Sequence, residues 1–306
     1  MVETKNNIAI EINDLSKNYH GMNKMALSSL NLKVKKGEIF GYLGPNGAGK
    51  STTIRLLMNF IQPSSGRATI LGLDVVKDSV AVKRKIGYLS GESAMYPKMT
   101  AKQYLSYMRD LHPVGDMKYT KELVKRLNVE MDKKIGELSR GNQQKVAIVQ
   151  ALMHKPEVII LDEPSSGLDP LMQEEFYKLL EEAKSRGACI FMSSHILGEV
   201  QRVCDRIGII REGKLVAEQN LLNLASSGIT IFDVTFKDRV DQKALKNIKG
   251  VQKVETNGSS ATVHIQGDLS PLLAYLSKQN VSRLETKTMD LEELFLHYYQ
   301  KGGGSK

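Results

Sequence analysis

The stretch Gly44-Pro45-Asn46-Gly47-Ala48-Gly49-Lys50-Ser51-Thr52 constrains this chain more than any other. It follows an unbroken apolar run, Ile39–Leu43, and precedes a segment of helical spacing that reaches Ile61. The pattern G-x-x-x-x-G-K-[ST] needs that strand–loop–helix context. Its small residues let successive backbone N–H groups point into one anion-sized concavity at a helix N-terminus. Lys50 would reach the β- and γ-phosphates of a nucleotide, and the Ser51 hydroxyl would ligate Mg2+. A chance glycine-rich turn would not need the flanking elements.

A second constraint is Val158-Ile-Ile-Leu-Asp162-Glu163-Pro164, an acidic pair at the end of a run without alternation. Such runs suit central strands buried on both faces. Ligands of open α/β sheets bind at the carboxyl ends of these strands. Asp162 would hold Mg2+ through water, and Glu163 would polarise a water aimed at the γ-phosphate. Further strands are expected at Ile8–Ile12, Leu30–Val34, Ala68–Leu71, Ile86–Leu89, Cys189–Met192, Ile207–Ile210 and Leu215–Ala217. Helical spacing runs over Lys50–Ile61, Ala101–Leu111, Tyr119–Asn128, Asn142–His154 and Leu171–Arg186. The alternation argues an α/β fold with a largely parallel sheet. The gap between the strands at 89 and 158 is expected to hold an inserted helical subdomain, residues about 92–155.

The 306 residues amount to roughly two domains. At 41% hydrophobic and 25% charged, wholesale disorder is excluded. After Ser226-Ser-Gly228 the order becomes strand, helix, strand, strand, helix, strand, the split βαβ of a ferredoxin-like α+β domain over 226–300. Ser270 is expected to cap its second helix, with Pro271 in the first turn. A last helix is expected from Asp290, with Glu293 completing a capping box and Leu291, Leu294, Phe295 and Tyr298 on one face. Residues 301–306 read as a flexible tail. Cys189 and Cys204 make neither a disulfide framework nor a metal cluster. His20, His112, His154, His264 and His297 lack paired metal spacing and read as structural. No apolar run approaches the roughly 18 residues of a membrane helix, and the start lacks a signal-peptide core, so a cytoplasmic location is expected.

With both motifs in place, the chain resembles the ATP-binding-cassette (ABC) ATPase family over residues 8–217. The resemblance implies a P-loop NTPase fold, with ATP and Mg2+ as ligand and cofactor. Leu138-Ser139-Arg140-Gly141-Asn142-Gln143-Gln144-Lys145 is similar to the family's signature, with a helix beginning at Asn142. In the family, the signature's Ser139 and Gly141 positions act across a dimer on the partner's ATP. Asp169, in Ser165-Ser166-Gly167-Leu168-Asp169, matches the loop that bridges two subunits. His195 matches the switch histidine at the γ-phosphate, and Tyr19 the aromatic residue that stacks on adenine. An exposed turn tyrosine is the alternative for Tyr19.

The chain departs from the family's commonest LSGGQ signature at Arg140 and Asn142. It also lacks the usual glutamine after Ile86-Gly-Tyr-Leu-Ser90-Gly91. Glu92 is the nearest polar substitute there toward Mg2+ and the attacking water; a solvent-facing carboxylate is the alternative. The resemblance implies an ATPase subunit that works as a homodimer or heterodimer on a separate membrane permease, on the inner face of the membrane. The C-terminal domain is similar to appendages of export-type members. The net charge of +9 alone suggests an anionic partner. Its excess concentrates in residues 98–145, with 11 basic and 6 acidic residues, on the part that would face permease and anionic lipid. No nucleic acid is then expected. The rivals are a soluble ABC ATPase acting on ribosomes or DNA, and an ATP-gated regulator without turnover.

Overall fold

Strand β3 (Ile39–Leu43) is buried at every position, as a strand covered on both faces must be. The computed structural model describes residues 7–21, 24–91, 95–112, 117–221 and 229–287. The chain forms two compact units, Met1–Gln219 and Asn220–Lys306. In the first, β3 lies inside a six-stranded sheet. The spatial order is β10 (Lys214–Asn220), β9 (Arg206–Arg211), β3, β8 (Cys189–Ser194), β7 (Val158–Asp162) and β6 (Ile86–Leu89). From β9 to β6 every pairing is parallel. Phe40, Tyr42 and Phe191 pack ring on ring within this core, at 5.8 and 5.2 Å between centroids.

One largely parallel sheet was the expectation, and it fails for the first strands. β1 (Ile8–Lys17), β2 (Leu27–Lys35), β4 (Ser65–Ile70) and the two-residue β5 (Leu73–Asp74) form a separate antiparallel sheet of order β2-β1-β4-β5. The cause is in β2 itself: its residues alternate between buried and accessible, the pattern of a sheet with one wet face.

Helix α1 (Lys50–Leu57) stops short of Ile61, since Asn59 turns into the left-handed region at φ 50°. A short helix that the spacing did not suggest, α2 (Ser79–Lys85), leads into β6. Between β6 and β7 run α3 (Ala101–Leu111), α4 (Met117–Arg126) and α5 (Arg140–Leu152). Thr100 and Gln103 close a reciprocal capping box on α3. Arg126 ties α4 to α6 (Pro170–Ser185) through Glu175 at 2.5 Å and Glu182 at 2.8 Å. After β8 comes α7 (Leu197–Val203). α5 lies so close on β6 that a Cβ at Gly87 would overlap the Ala151 carbonyl.

The second unit runs β11 (Ile229–Phe236), α8 (Gln242–Lys246), β12 (Val251–Asn257), β13 (Ser260–Gln266), α9 (Ser270–Leu276) and β14 (Val281–Lys287). Its antiparallel sheet has the order β12-β13-β11-β14. Phe232, Val234, Leu245, Val263, Ile265 and Leu272 form its core. Ser270 is not the cap of α9: Leu269 stands there, and the Ser270 hydroxyl donates to Asp268 at 2.7 Å. The helix expected from Asp290, Glu92, the Ser226–Gly228 link and the 301–306 tail lie outside the described residues.

At the C-terminal end of α5, His154 stacks on His112 with centroids 4.7 Å apart, and its Nε2 lies 3.1 Å from the Ile86 carbonyl. Burial, with His112 beside it, pushes His154 from the ordinary 6.5 down to about 4. An unfolded chain takes up this proton near the ordinary value and the folded chain only near the lower one. The stabilisation by the neutral ring is therefore complete above that ordinary value and lost as pH falls towards the folded one. We expect the thermal midpoint to fall across this window, and His154→Gln to flatten the slope in calorimetry.

Candidate functional site

Three strands side by side end at one place. In the parallel register Leu43 stands opposite Ser194 and Asp162 opposite Ser193. The loop after β3 thus emerges beside the acidic end of β7 and the Ser193-Ser194-His195 end of β8.

The loop folds back by backbone turns that few residues tolerate: Gly47 has φ 79° and Gly49 φ 114°. A Cβ at Gly49 would stand 2.8 Å from the Ala26 carbonyl oxygen. The Lys50 side chain is only 4% exposed. A buried ammonium must be compensated. Its Nζ donates to the Gly44 carbonyl at 2.7 Å and the Pro45 carbonyl at 3.2 Å, and lies 3.5 Å from Glu163 Oε1. The same carboxylate oxygen is 3.2 Å from Nδ1 of His195, whose side chain is half exposed. Lys50, Glu163 and His195 therefore meet.

Glu163 holds a left-handed backbone, φ 48°, a conformation that costs a non-glycine residue about 1 kcal/mol or more. Ser193 holds it there: the Glu163 N–H donates to the Ser193 carbonyl and hydroxyl oxygens, both at 3.2 Å. The Ser193 hydroxyl in turn donates to Asp162 Oδ1 at 2.5 Å. One serine thus orients both acidic residues.

Two clefts open here. One, of 170 Å3, is lined by Ala26, Pro45, Asn46, Lys50, Ser51 and Glu163 among others. The other, of 440 Å3, includes Ser51, Arg55, Tyr88, Gly91, Asp162 and Glu163. Ser51 and Glu163 line both. The Ser51 hydroxyl and Asp162 carboxylate on one polar cleft are the hard oxygen donors that suit Mg2+. Tyr19 adjoins the end of the loop, its hydroxyl 3.5 Å from Thr52 Oγ1, and Lys17 Nζ lies 5.4 Å over the ring.

Ser139, Gly141 and Asp169 line neither cleft, although Arg140, between the first two, lines the larger one. Ser139 is exposed and caps α5, its Oγ accepting from the Asn142 N–H at 3.3 Å. The helix therefore begins at Arg140, not Asn142. Gly141 meets the loop after β7: a Cβ there would be 2.6 Å from the Gly167 carbonyl oxygen. Asp169 is exposed and caps α6, accepting from the Met172 N–H at 3.0 Å. Glu92 lies outside the described residues. Missed from sequence were Ser193 and the contacts of Ser165 and Ser194 with Glu199. The available signal was the hydroxyl pair Ser193-Ser194, fully buried at the end of an otherwise apolar strand just before His195.

A family model described as ABC transporter matches residues 27–166. The bacitracin transport ATP-binding protein BcrA of Bacillus licheniformis is 41% identical over 213 residues, 68% of this chain and 69% of that protein. The linearmycin resistance ATP-binding protein LnrL of Bacillus subtilis is 32% identical over 290 residues, 90% of this chain and 93% of LnrL. A dimeric structure of a bacterial ABC transporter cassette superposes with a TM-score of 0.64 at 27% identity, covering 69% of this chain and 98% of that one.

Replacing Ser193 by Ala leaves the Asp162 carboxylate without this donor and the Glu163 N–H with the carbonyl alone. We expect a loss of about 1–2 kcal/mol of stability, read as a lower urea midpoint with an unchanged slope.

Proposed function

The chain belongs to the ATP-binding subunits of ABC transporters, and on that premise we propose that Lys50, Glu163 and His195 carry its ATP hydrolysis for an exporter. The protein is an ATPase that serves a separate permease. The observation that carries the assignment of residues is the meeting of Lys50 and His195 on one oxygen of Glu163, at 3.5 and 3.2 Å.

With ATP in the loop, the γ-phosphate enters where Lys50 now faces Glu163, and the ammonium turns from the carboxylate to the β- and γ-oxygens. Glu163 is then freed to orient water in line with the leaving oxygen. The water oxygen bonds to the γ-phosphorus as the bond to the β-phosphate oxygen breaks, and Glu163 takes the proton. His195 steadies the γ-phosphate oxygens from the end of β8. Ser51 and Asp162 would hold Mg2+, which supplies charge neutralisation at the β- and γ-oxygens when bound. Tyr19 offers the ring face away from Lys17 to adenine.

The N-terminus of α5, with Ser139 exposed and Gly141 behind it, would complete the site of a second subunit. Neither Ser139 nor Gly141 lines this chain's own clefts, which fits, and the dimeric cassette among similar structures supports it. Among the described residues no helix is long and apolar enough to cross a membrane. The permease would dock near Gly91–Thr100. Tyr96 there is 52% exposed and packs edge-on against Tyr107 at 5.9 Å. The basic excess of 98–145 would lie towards permease and anionic lipid, which supports a position on the inner face of the membrane. Export is favoured by the resistance and bacitracin-transport relatives.

Glu163→Gln should bind ATP, lose turnover by about a hundredfold or more, and elute as an ATP-dependent dimer in size-exclusion chromatography. Parental turnover in this variant would remove Glu163 as the base. Lys50→Ala should weaken ATP binding at least about tenfold in a fluorescence titration.

A further inference from the structure

Glu199 sits in the first turn of α7 and is 8% exposed. A carboxylate so buried must have partners. Its two oxygens are taken by two serine hydroxyls: Ser165 donates to Oε1, and Ser194 donates to Oε2 at 2.9 Å. The nearby Arg202 is engaged elsewhere, paired with Glu174 and lying over the Tyr177 ring.

The identity of these serines gives the contact its meaning. Ser165 lies two residues beyond Glu163, and Ser194 immediately precedes His195. Ser194 Oγ also accepts the Ile196 N–H at 2.9 Å, so it fixes the backbone on the far side of His195. On the other side of the loop after Glu163, Gln144 Nε2 donates to the Pro164 carbonyl at 2.7 Å and Arg140 donates to the Ser166 hydroxyl at 3.3 Å. The strained backbone of Glu163 is thus anchored on one flank by α5 and on the other by Glu199. His195 hangs from the same carboxylate.

We propose that Glu199 is a positioning residue for ATP hydrolysis, whose buried carboxylate ties Ser165 to Ser194 and so sets Glu163 and His195 at their mutual distance. It lines neither of the two clefts. The inference rests on the assignment of Glu163 and His195 to the γ-phosphate end of the site. Reacting groups displaced by about 1 Å can lose a hundredfold in rate. Binding through the loop after β3 does not depend on Glu199.

The test uses the purified full chain with Mg·ATP. Glu199→Ala should lower turnover at saturating ATP by about ten- to a hundredfold, with KM changed less than about twofold. A purely structural role would instead reduce folded protein and leave turnover per folded molecule intact. Glu199→Gln keeps one acceptor and presents an amide to the other hydroxyl, and should restore turnover to within about threefold of the parent. In a His195→Ala background, Glu199→Ala should cost less than it does in the parent, because only the Glu163 arm is left to lose. Should Glu199→Ala fail to fold, Ser165→Ala and Ser194→Ala separate the two contacts, and each should lower turnover severalfold. Parental turnover in Glu199→Ala, or in both serine variants, overturns the proposal, as does independent multiplication of the losses in the double variant. Parental turnover in His195→Ala would overturn the assignment of the site as well. A slow His195→Ala beside a parental Glu199→Ala would overturn this inference alone.

Discussion

The parallel pairing of β3, β8 and β7 is the constraint on which the rest depends. In parallel strands all carboxyl ends fall on one edge, and β8 lies directly between the other two. Adjacent strands are about 5 Å apart, so groups from three distant stretches come within hydrogen-bond reach without long loops. Residues 50, 163 and 195 meet for that reason. Three successive residues of β8 and its end then serve three partners: Ser193 meets Asp162, Ser194 meets Glu199, and His195 meets Glu163.

The buried Lys50 sets the electrostatic logic. Its charge is satisfied by two loop carbonyls and one carboxylate, so the loop is held in shape before any nucleotide arrives. A loop already held in shape loses less ordering entropy when it binds a ligand. In the empty site one oxygen of Glu163 is the counter-charge to Lys50, and the same oxygen is the one we propose as the base.

The placement of the candidate site was largely legible in the sequence because it lies in short contiguous motifs whose backbone requirements show through. Gly47 and Gly49 signal positive φ, and the apolar runs before Gly44 and Asp162 signal buried central strands. What escaped depends on long-range pairing. The antiparallel sheet of β1, β2 and β4 could not be separated from the parallel one by alternation of elements, although β2's own alternation carried the sign. The helical spacing predicts α5 from Asn142. A serine cap draws the helix back to Arg140. Ser270 failed as a cap for a similar local reason, the competing acceptor Asp268. Glu199 gave no signal, since a glutamate in the first turn of a helix is ordinary and its partners lie 34 and 5 residues away.

The placement of α5 has a mechanical consequence. Its exposed end carries Ser139, while Arg140, Gly141 and Gln144, within the next turn and a half, press on the stretch from Pro164 to Gly167. Gly141 and Gly167 approach too closely for either element to slide without moving the other. Tightly packed contacts of this kind transmit displacement rather than absorb it. A ligand that seats against Ser139 therefore bears on the loop leading from Glu163, in the same chain. Ser139 and the residues that press on the loop after Glu163 share the N-terminal end of α5, so the proposed signature and the proposed base are joined by direct packing.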